Sequence, residues 1–448
     1  MKPTKIIQTV LILAMVAMAG CSPAATATLQ PTSTPPPPTA TDTPTQTTTN
    51  PPPATATLEP TATVQPTPTS FPTLLPPTAG QVQALDMTSI DKDLTTGFAR
   101  GFITGNYAYF VTWNERCMVL LQIDCPPVLS KIIRVDVNNF TAGGATELDL
   151  AQVATHSLNT QFSFTDGRYG YFMEWSLLSN DAFRVDLLNF GASGVTVLSL
   201  DEANPNLSFS NGVFSDGHYA YFSVGEGTYV LARADVQTFN PTRVEFLNLD
   251  NTQGCIMGNY GYFPKDVTAS DHNSITRLDL NNFTDAGVTI IHADVNQSTK
   301  VLYGYFCNAG YFYIAPNTDG KILRVDAENF TTSGITALDL SKLDPGLNGY
   351  VAAFTDGHYG YFLPNYTDTV GDLLSGTGKV ARVDLANFTA SGVTWLDLTH
   401  LNSNWNNFMD GLADSHYIYL EPGDYAKNGA TLNTNLVRIS LDYAGWTK

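Results

Sequence analysis

Residues 82–90 read "VQALDMTSI", and residues 393–401 read "VTWLDLTHL". The folded part of the chain therefore starts on a phrase that elsewhere comes late in a longer unit, "TDGHYGYFLP…GKVARVDLANFTASGVTWLDL" (355–398). That unit recurs. Arg-x-Asp stands at 134, 184, 233, 277, 324 and 382, with a degenerate copy, "RIS", at 438. A Tyr-x-Tyr pair precedes each, at 107/109, 169/171, 219/221, 260/262, 311/313, 359/361 and 417/419. The fifth pair is set by aligning "FCNAGYFYIAPN" with "FTDGHYGYFLPN", which leaves "YGYF" (303–306) in the preceding strand.

Each unit reads as four strands. A short apolar strand meets an Asp-Gly or Asn-containing turn, and "HYGYFL" completes a hairpin. A loop of variable length leads to "KVARVDL", alternating with period two. The turn "ANFTASG" then leads to "VTWLDL". A mean period of about 52 residues suits four-stranded propeller blades. The seventh unit has three strands ("GLADS", "HYIYLE", "NLVRISLD") before the chain ends. "VQALDMTSI" is its missing fourth strand, supplied from the other terminus. The expected fold is all-β: a seven-bladed β-propeller over 81–448, its ring closed by strand 82–90.

The order Asp-Gly-x-Tyr-x-Tyr-Phe, then a strand with hydrophobic-x-Asp, then a Val/Thr-rich strand resembles the YVTN-type repeats of bacterial surface propellers. Tyr-Phe stands where that family has Tyr-Val-Thr-Asn, and the spacers are longer. The resemblance implies the fold more than any activity. Kelch double glycines, Trp-Asp repeat endings and sialidase Asp-boxes are absent.

Upstream the material changes. Lys2 and Lys5 precede the apolar run "IIQTVLILAMVAMAG", the length of a signal-peptide core. It ends in Met18-Ala19-Gly20-Cys21, which resembles the lipobox of bacterial lipoproteins. That implies removal of residues 1–20, a lipid on Cys21, and a place in the cell envelope outside the cytoplasm. Pro and Thr make up 35 of residues 22–80, a composition that stays extended and disordered. Residues 21–80 are read as a lipidated stalk, ~180 Å long in polyproline geometry and nearer ~45 Å as a coil. Lys2 and Lys5 balance Asp42 and Glu59, so the net charge of −19 belongs to the folded part. This argues against nucleic acid, which needs a basic footprint. A monomer is expected. Cys117 and Cys125 could close a loop disulfide or remain thiols; neither they nor Cys255 and Cys307 have zinc-site spacing.

A residue needed in every blade marks structure. Arg-x-Asp is read as a within-blade hydrogen-bond network, with Asp serving the following turn. Asn139-Phe140-Thr141 and its copies at 282, 329 and 387 are read as turns. His218, His358 and His416 share one repeat position on separate blades, so no metal site is expected from them. Non-repeated residues gather in two loop sets, after the Tyr-x-Tyr strand and between blades, which leave a propeller on one face. There Trp113 and Trp175 hold equivalent positions, and Trp405 lies in the connection into blade seven. Trp rings beside Glu115, Glu174 and Asn406 would suit a sugar, or would pack the loops down. No cofactor is expected, though "PNTDGK" (316–321) leaves room for weak calcium. The chain is read as a binding or scaffold protein for a polysaccharide or surface protein. The alternative is a carbohydrate hydrolase or lyase using channel-facing carboxylates such as Glu174 and Glu421.

Overall fold

The computed structural model describes residues 80–95, 97–113, 131–154, 160–174, 180–207, 210–225, 230–249, 253–264, 274–293, 304–315, 320–364, 378–406, 408–423 and 433–447. The signal peptide, Cys21, the stalk and the Cys117/Cys125 pair lie outside them. Strand β1 is Val82–Asp86. Blade one is β2 (Gly97–Thr104), β3 (Tyr107–Trp113), β4 (Lys131–Asp136) and β5 (Ala145–Asp149). Blade two is β6 (Thr160–Thr165), β7 (Tyr169–Glu174), β8 (Asp181–Asp186) and β9 (Val195–Ser199). Blade three is β10 (Ser210–Ser215), β11 (Tyr219–Val224), β12 (Val230–Asp235) and β13 (Val244–Asn248). Blade four is β14 (Cys255–Met257), β15 (Tyr260–Pro264), β16 (Ser274–Asp279) and β17 (Val288–His292). Blade five is β18 (Gly304–Asn308), β19 (Tyr311–Ala315), β20 (Lys321–Asp326) and β21 (Ile335–Asp339). Blade six is β22 (Tyr350–Thr355), β23 (Tyr359–Pro364), β24 (Lys379–Asp384) and β25 (Val393–Asp397). Blade seven has β26 (Phe408–Ala413), β27 (Tyr417–Pro422) and β28 (Asn435–Ser440), and β1 pairs antiparallel with β28 as its fourth strand.

The sequence signals map onto the pairing. In every blade the second Tyr lies opposite the Arg, as in Tyr109↔Arg134 and Tyr419↔Arg438. Tyr311 and Tyr313 stand in β19, and Tyr305 stands in β18. The opening phrase is shorter as a strand than 82–90: Asp86 ends β1, and its carboxylate accepts from Thr88 N to cap the single 3-10 turn Met87–Ser89. Asp397 caps Leu398–His400 the same way, so the two phrases fold alike.

Turns use the short polar side chains. Asp166, Asp216, Asp356 and Asp414 each accept the backbone N–H groups two and three residues on and the hydroxyl of the second Tyr. Thr141, Thr284, Thr331 and Thr389 donate to the Asn two residues before them, which makes Asn-x-Thr a turn lock. Three residues after these Thr comes Gly144, Gly287, Gly334 or Gly392. A Cβ there would lie 2.0–2.1 Å from the Asn carbonyl oxygen, so only Gly fits.

The Asp of Arg-x-Asp behaves as read, accepting backbone N–H groups of its own turn, as Asp384 does from Ala386 and Asn387. The Arg needs a correction. It touches Thr or Glu on its own fourth strand, but its main contacts cross to the next blade. Each guanidinium lies between the first Tyr of its own blade and an aromatic ring of the next: Arg134 between Tyr107 and Phe190, Arg184 between Tyr169 and Phe239, Arg233 between Tyr219 and Phe283. Arg277, Arg324 and Arg382 continue with Phe330, Phe388 and Trp446, and Arg438 of blade seven lies between Tyr417 and Phe140 of blade one. Arg184, Arg233, Arg277, Arg382 and Arg438 also donate to a backbone carbonyl of that next blade.

Apolar packing follows the same joints. Each blade-to-blade interface has its own buried cluster, and one of them joins Leu85, Leu412, Tyr419 and Leu436 of blade seven to Phe98, Phe110, Ile133 and Phe140 of blade one. Deleting residues 79–90 exposes the β28 edge and removes Leu85 and Met87 from this cluster. The deletion should lower the melting temperature sharply and provoke aggregation; melting together with the parent would contradict the role given to β1. In a double-mutant cycle by denaturant melts, Arg438→Met and Phe140→Leu should couple by about 1–2 kcal/mol. Additive losses would remove the sandwich as a joint.

Candidate functional site

The residues singled out from sequence fare unequally. Trp113 ends β3 and Glu174 ends β7, so both stand at the strand end that carries the loops. Their side chains, and Glu115 and Trp175 altogether, lie outside the described residues, as does most of the "PNTDGK" segment. Asn406 is exposed. Trp405 beside it is not a platform: it is 8% exposed and packs with Leu398, Phe408 and Leu420 beneath the connection into blade seven. The packing role holds for this Trp, and Leu401 of the same connection packs against that cluster with it.

Comparing blades position by position exposes a different site. Two residues beyond the second Tyr, the other blades carry Val111, Met173, Ser223, Pro264, Ala315 and Leu363, all uncharged; blade seven carries Glu421. Its cross-strand partner is Asp410, where blades two and six have Phe162 and Ala352. Blades two and seven bulge early in the first strand, between Thr160 and Phe162 and between Phe408 and Asp410; in blade one the bulge falls later, between Ala99↔Val111 and Phe102↔Tyr109, and holds Arg100 and Gly101. Arg100 has φ +48°, a left-handed backbone rare for a side chain of its size. A Cβ on Gly101 would lie 2.4 Å from Tyr109 O and 2.7 Å from Glu421 Oε1.

These departures converge. Gly101 N donates to Glu421 Oε1 at 2.8 Å, and Arg100 Nε lies 4.0 Å from Asp410 Oδ2. Arg100 Nη1 reaches past its neighbours to donate to Tyr305 Oη of blade five at 2.9 Å, and Tyr305 in turn donates to Gln253 Oε1 at 3.2 Å. The guanidinium also lies over the rings of Phe162 and Tyr305. Blades one and five are not adjacent, so this chain of contacts bridges the central channel. Arg100, Asp410, Tyr305 and Gln253 are on or just before first strands, and Glu421 is near the end of β27. All therefore sit toward the loop-bearing end.

Charge is the notable property of this cluster. Glu421 is fully buried, and its Oε2 has no hydrogen-bond partner among the described residues. Arg100 and Asp410 keep 25% and 18% of their side-chain surface open. Burial and then the Asp410 charge push the Glu421 carboxyl well above the usual carboxylate range, against the Gly101 N–H and Arg100. Burial likewise raises Asp410, opposed by Arg100. Burial also works against the Arg100 charge, but Tyr305, Asp410 and Glu421 outweigh it and keep the guanidinium ionised. Among the described residues no group of three or more His, Cys, Asp or Glu side chains could hold a metal ion.

One covalent feature escaped the sequence reading. Cys255 of β14 and Cys307 of β18 form a disulfide that ties blade four to blade five. Each stands two residues beyond a member of the hydrogen-bonded Gln253–Tyr305 pair, so the bridge fixes the strands that present both. The signal was there: the two cysteines are 52 residues apart, one repeat.

No family model matches the chain, and no curated protein matches it in sequence. The YVTN-type and lipobox resemblances therefore rest on residue pattern alone. Among solved structures, the chain is similar to Kuenenia stuttgartiensis hydrazine synthase, at 13% identity and TM-score 0.52, over 78% of this chain and 97% of that one. It is also similar to a chain of a mitotic checkpoint complex, at 9% identity and TM-score 0.53, over 85% and 99%. At these identities the likeness is one of fold.

The raised carboxyls carry a stability signature. A group that holds its proton more tightly folded than unfolded contributes stability below its unfolded pKa, and that contribution is lost as pH rises through the folded value. Thermal melts should therefore show stability falling as pH rises above the ordinary carboxylate range, and Glu421→Gln should flatten this fall. A variant whose pH profile parallels the parent would remove Glu421 as its source.

Proposed function

We propose that this chain is a lipid-anchored, extracytoplasmic binding protein. On this reading Cys21 carries the anchor, residues 21–80 form the tether, and the propeller offers its loop-bearing face to a polysaccharide or surface protein. One observation carries the reading: the repeated charges are consumed in joining blades, while the polar residues that break the repeat gather at the end of the strands that bears the variable connections. Connections held by a rigid scaffold are where binding residues concentrate. The Cys255–Cys307 disulfide supports an oxidising compartment. The net charge of −19 favours a partner other than nucleic acid.

The adjoining carboxyls of Asp410 and Glu421 favour a second reading, acid–base chemistry on a glycoside, because a protonated buried carboxyl beside another is what a general acid needs. The two readings separate on Glu421→Gln, which would abolish turnover and spare binding under the second.

The purified full chain should bind on a glycan array, and a folded Trp113→Ala/Trp175→Ala variant should lose that binding at least tenfold, as removal of a stacking pair predicts. Silence from both would move the ligand to protein and return the Trp pair to loop packing.

A further inference from the structure

The axial cluster contains two carboxyls and one guanidinium, on three neighbouring strands of blades one and seven. If both carboxyls ionise, one negative charge is left without a partner inside the molecule. A buried charge in that position must be neutralised by a proton or met by a cation. The unmet acceptor is already identified: Glu421 Oε2 is buried and unpartnered among the described residues, while Oε1 is held by Gly101 N. Glu421 itself is fully buried, but Asp410 and Arg100 beside it keep part of their side-chain surface open, so the site is reached past those two side chains.

We propose that the axial cluster binds a protonated primary amine, whose N–H groups donate to Glu421 Oε2 and to Asp410. One positive charge balances the site; a divalent ion would overshoot it. An ammonium also brings three directional donors, suited to carboxylate oxygens fixed by strand pairing. Metal ions are less well served, since no triad of metal-ligating side chains gathers here among the described residues. Arg100 lies over Phe162 and Tyr305, gives Nη1 to Tyr305 and keeps Nε 4.0 Å from Asp410 Oδ2, so it supplies no hydrogen bond to Glu421 Oε2. The groups facing Glu421 are Arg100 and the Gly101 N–H from β2 and Asp410 from β26, with Tyr305 of β18 beyond Arg100. A proton on Glu421 competes with the amine for the same oxygen, so binding strengthens with pH. This inference does not rest on a polysaccharide ligand; its failure would leave the glycan-array result untouched.

The test is a set of thermal melts of the full chain in methylammonium chloride, sodium chloride or tetramethylammonium chloride at equal ionic strength. At about pH 8 methylammonium should raise the melting temperature above both other salts, and the gain should shrink toward about pH 5 as the proton takes the site. Tetramethylammonium carries the charge without N–H donors and separates hydrogen bonding from screening. Glu421→Gln, checked for native circular dichroism, should lose the gain; should that variant not fold, Asp410→Asn should weaken it. An equal response to all three salts overturns the proposal. So does a gain that persists undiminished in either folded variant.

Discussion

An arginine held between two aromatic rings, one from its own blade and one from the next, is the contact on which this ring depends. A guanidinium suits this place better than an ammonium, which is harder to desolvate, because its planar, weakly hydrated face can lie flat on a ring. Seven such sandwiches run around the molecule, the last joining Arg438 to Phe140. Even at about 1 kcal/mol each, they are comparable to the whole net stability of a folded domain, about 5–15 kcal/mol. The contact is not free of cost. Nε of Arg134, Arg184 and Arg324 is buried without a partner among the described residues, so the rings must outweigh three unmet donors.

The repeated phrase is one device spread over two blades. Its Arg reaches forward, its Asp builds the next turn, and the Phe on that turn receives the Arg of the blade behind. Asp384 shows the sequence: it caps Ala386 and Asn387, and the turn so fixed puts Phe388 over Arg324. Blade seven lacks the Asp, since "RIS" replaces "RVD", and there Trp446 takes the ring position over Arg382. The C-terminal residues gain a further hold because Thr447 pairs with Trp395 at the outer edge of β25. A strand edge that would otherwise be open is covered by the same segment that supplies the ring.

This explains what could be read in advance. Blade number, strand order, the Tyr311 alignment and the membership of β1 in blade seven all follow from periodicity, which needs no knowledge of how blades meet. The direction of the arginines was not legible, because a motif within one strand does not say which neighbour its side chain will touch. Trp405 misled for a similar reason: a loop Trp next to an exposed Asn406 looks available until the apolar side chains beneath it are known. Cys255 with Cys307, and Glu421 with Asp410, were legible in principle. The first pair stands one period apart. The second puts charge where the matched positions of other blades are uncharged, a signal that appears when blades are compared column by column instead of searched for motifs.

The two kinds of departure are physically linked. A ring stabilised by contacts between blades, at seven joints, can tolerate local strain on its axis because no single first strand decides whether the disc forms. Arg100 in the left-handed region, the bulge it occupies and the unpartnered Glu421 oxygen are each unfavourable in isolation. They persist together because the strands carrying them are held from outside: β2 and β26 by the blade-seven to blade-one cluster, and β18 by the disulfide to β14. Strain maintained in this way would relax readily if the charge were satisfied. The axial end of the strands is therefore the part of the molecule where a ligand gains most from binding, and where substitutions change chemistry before they change fold.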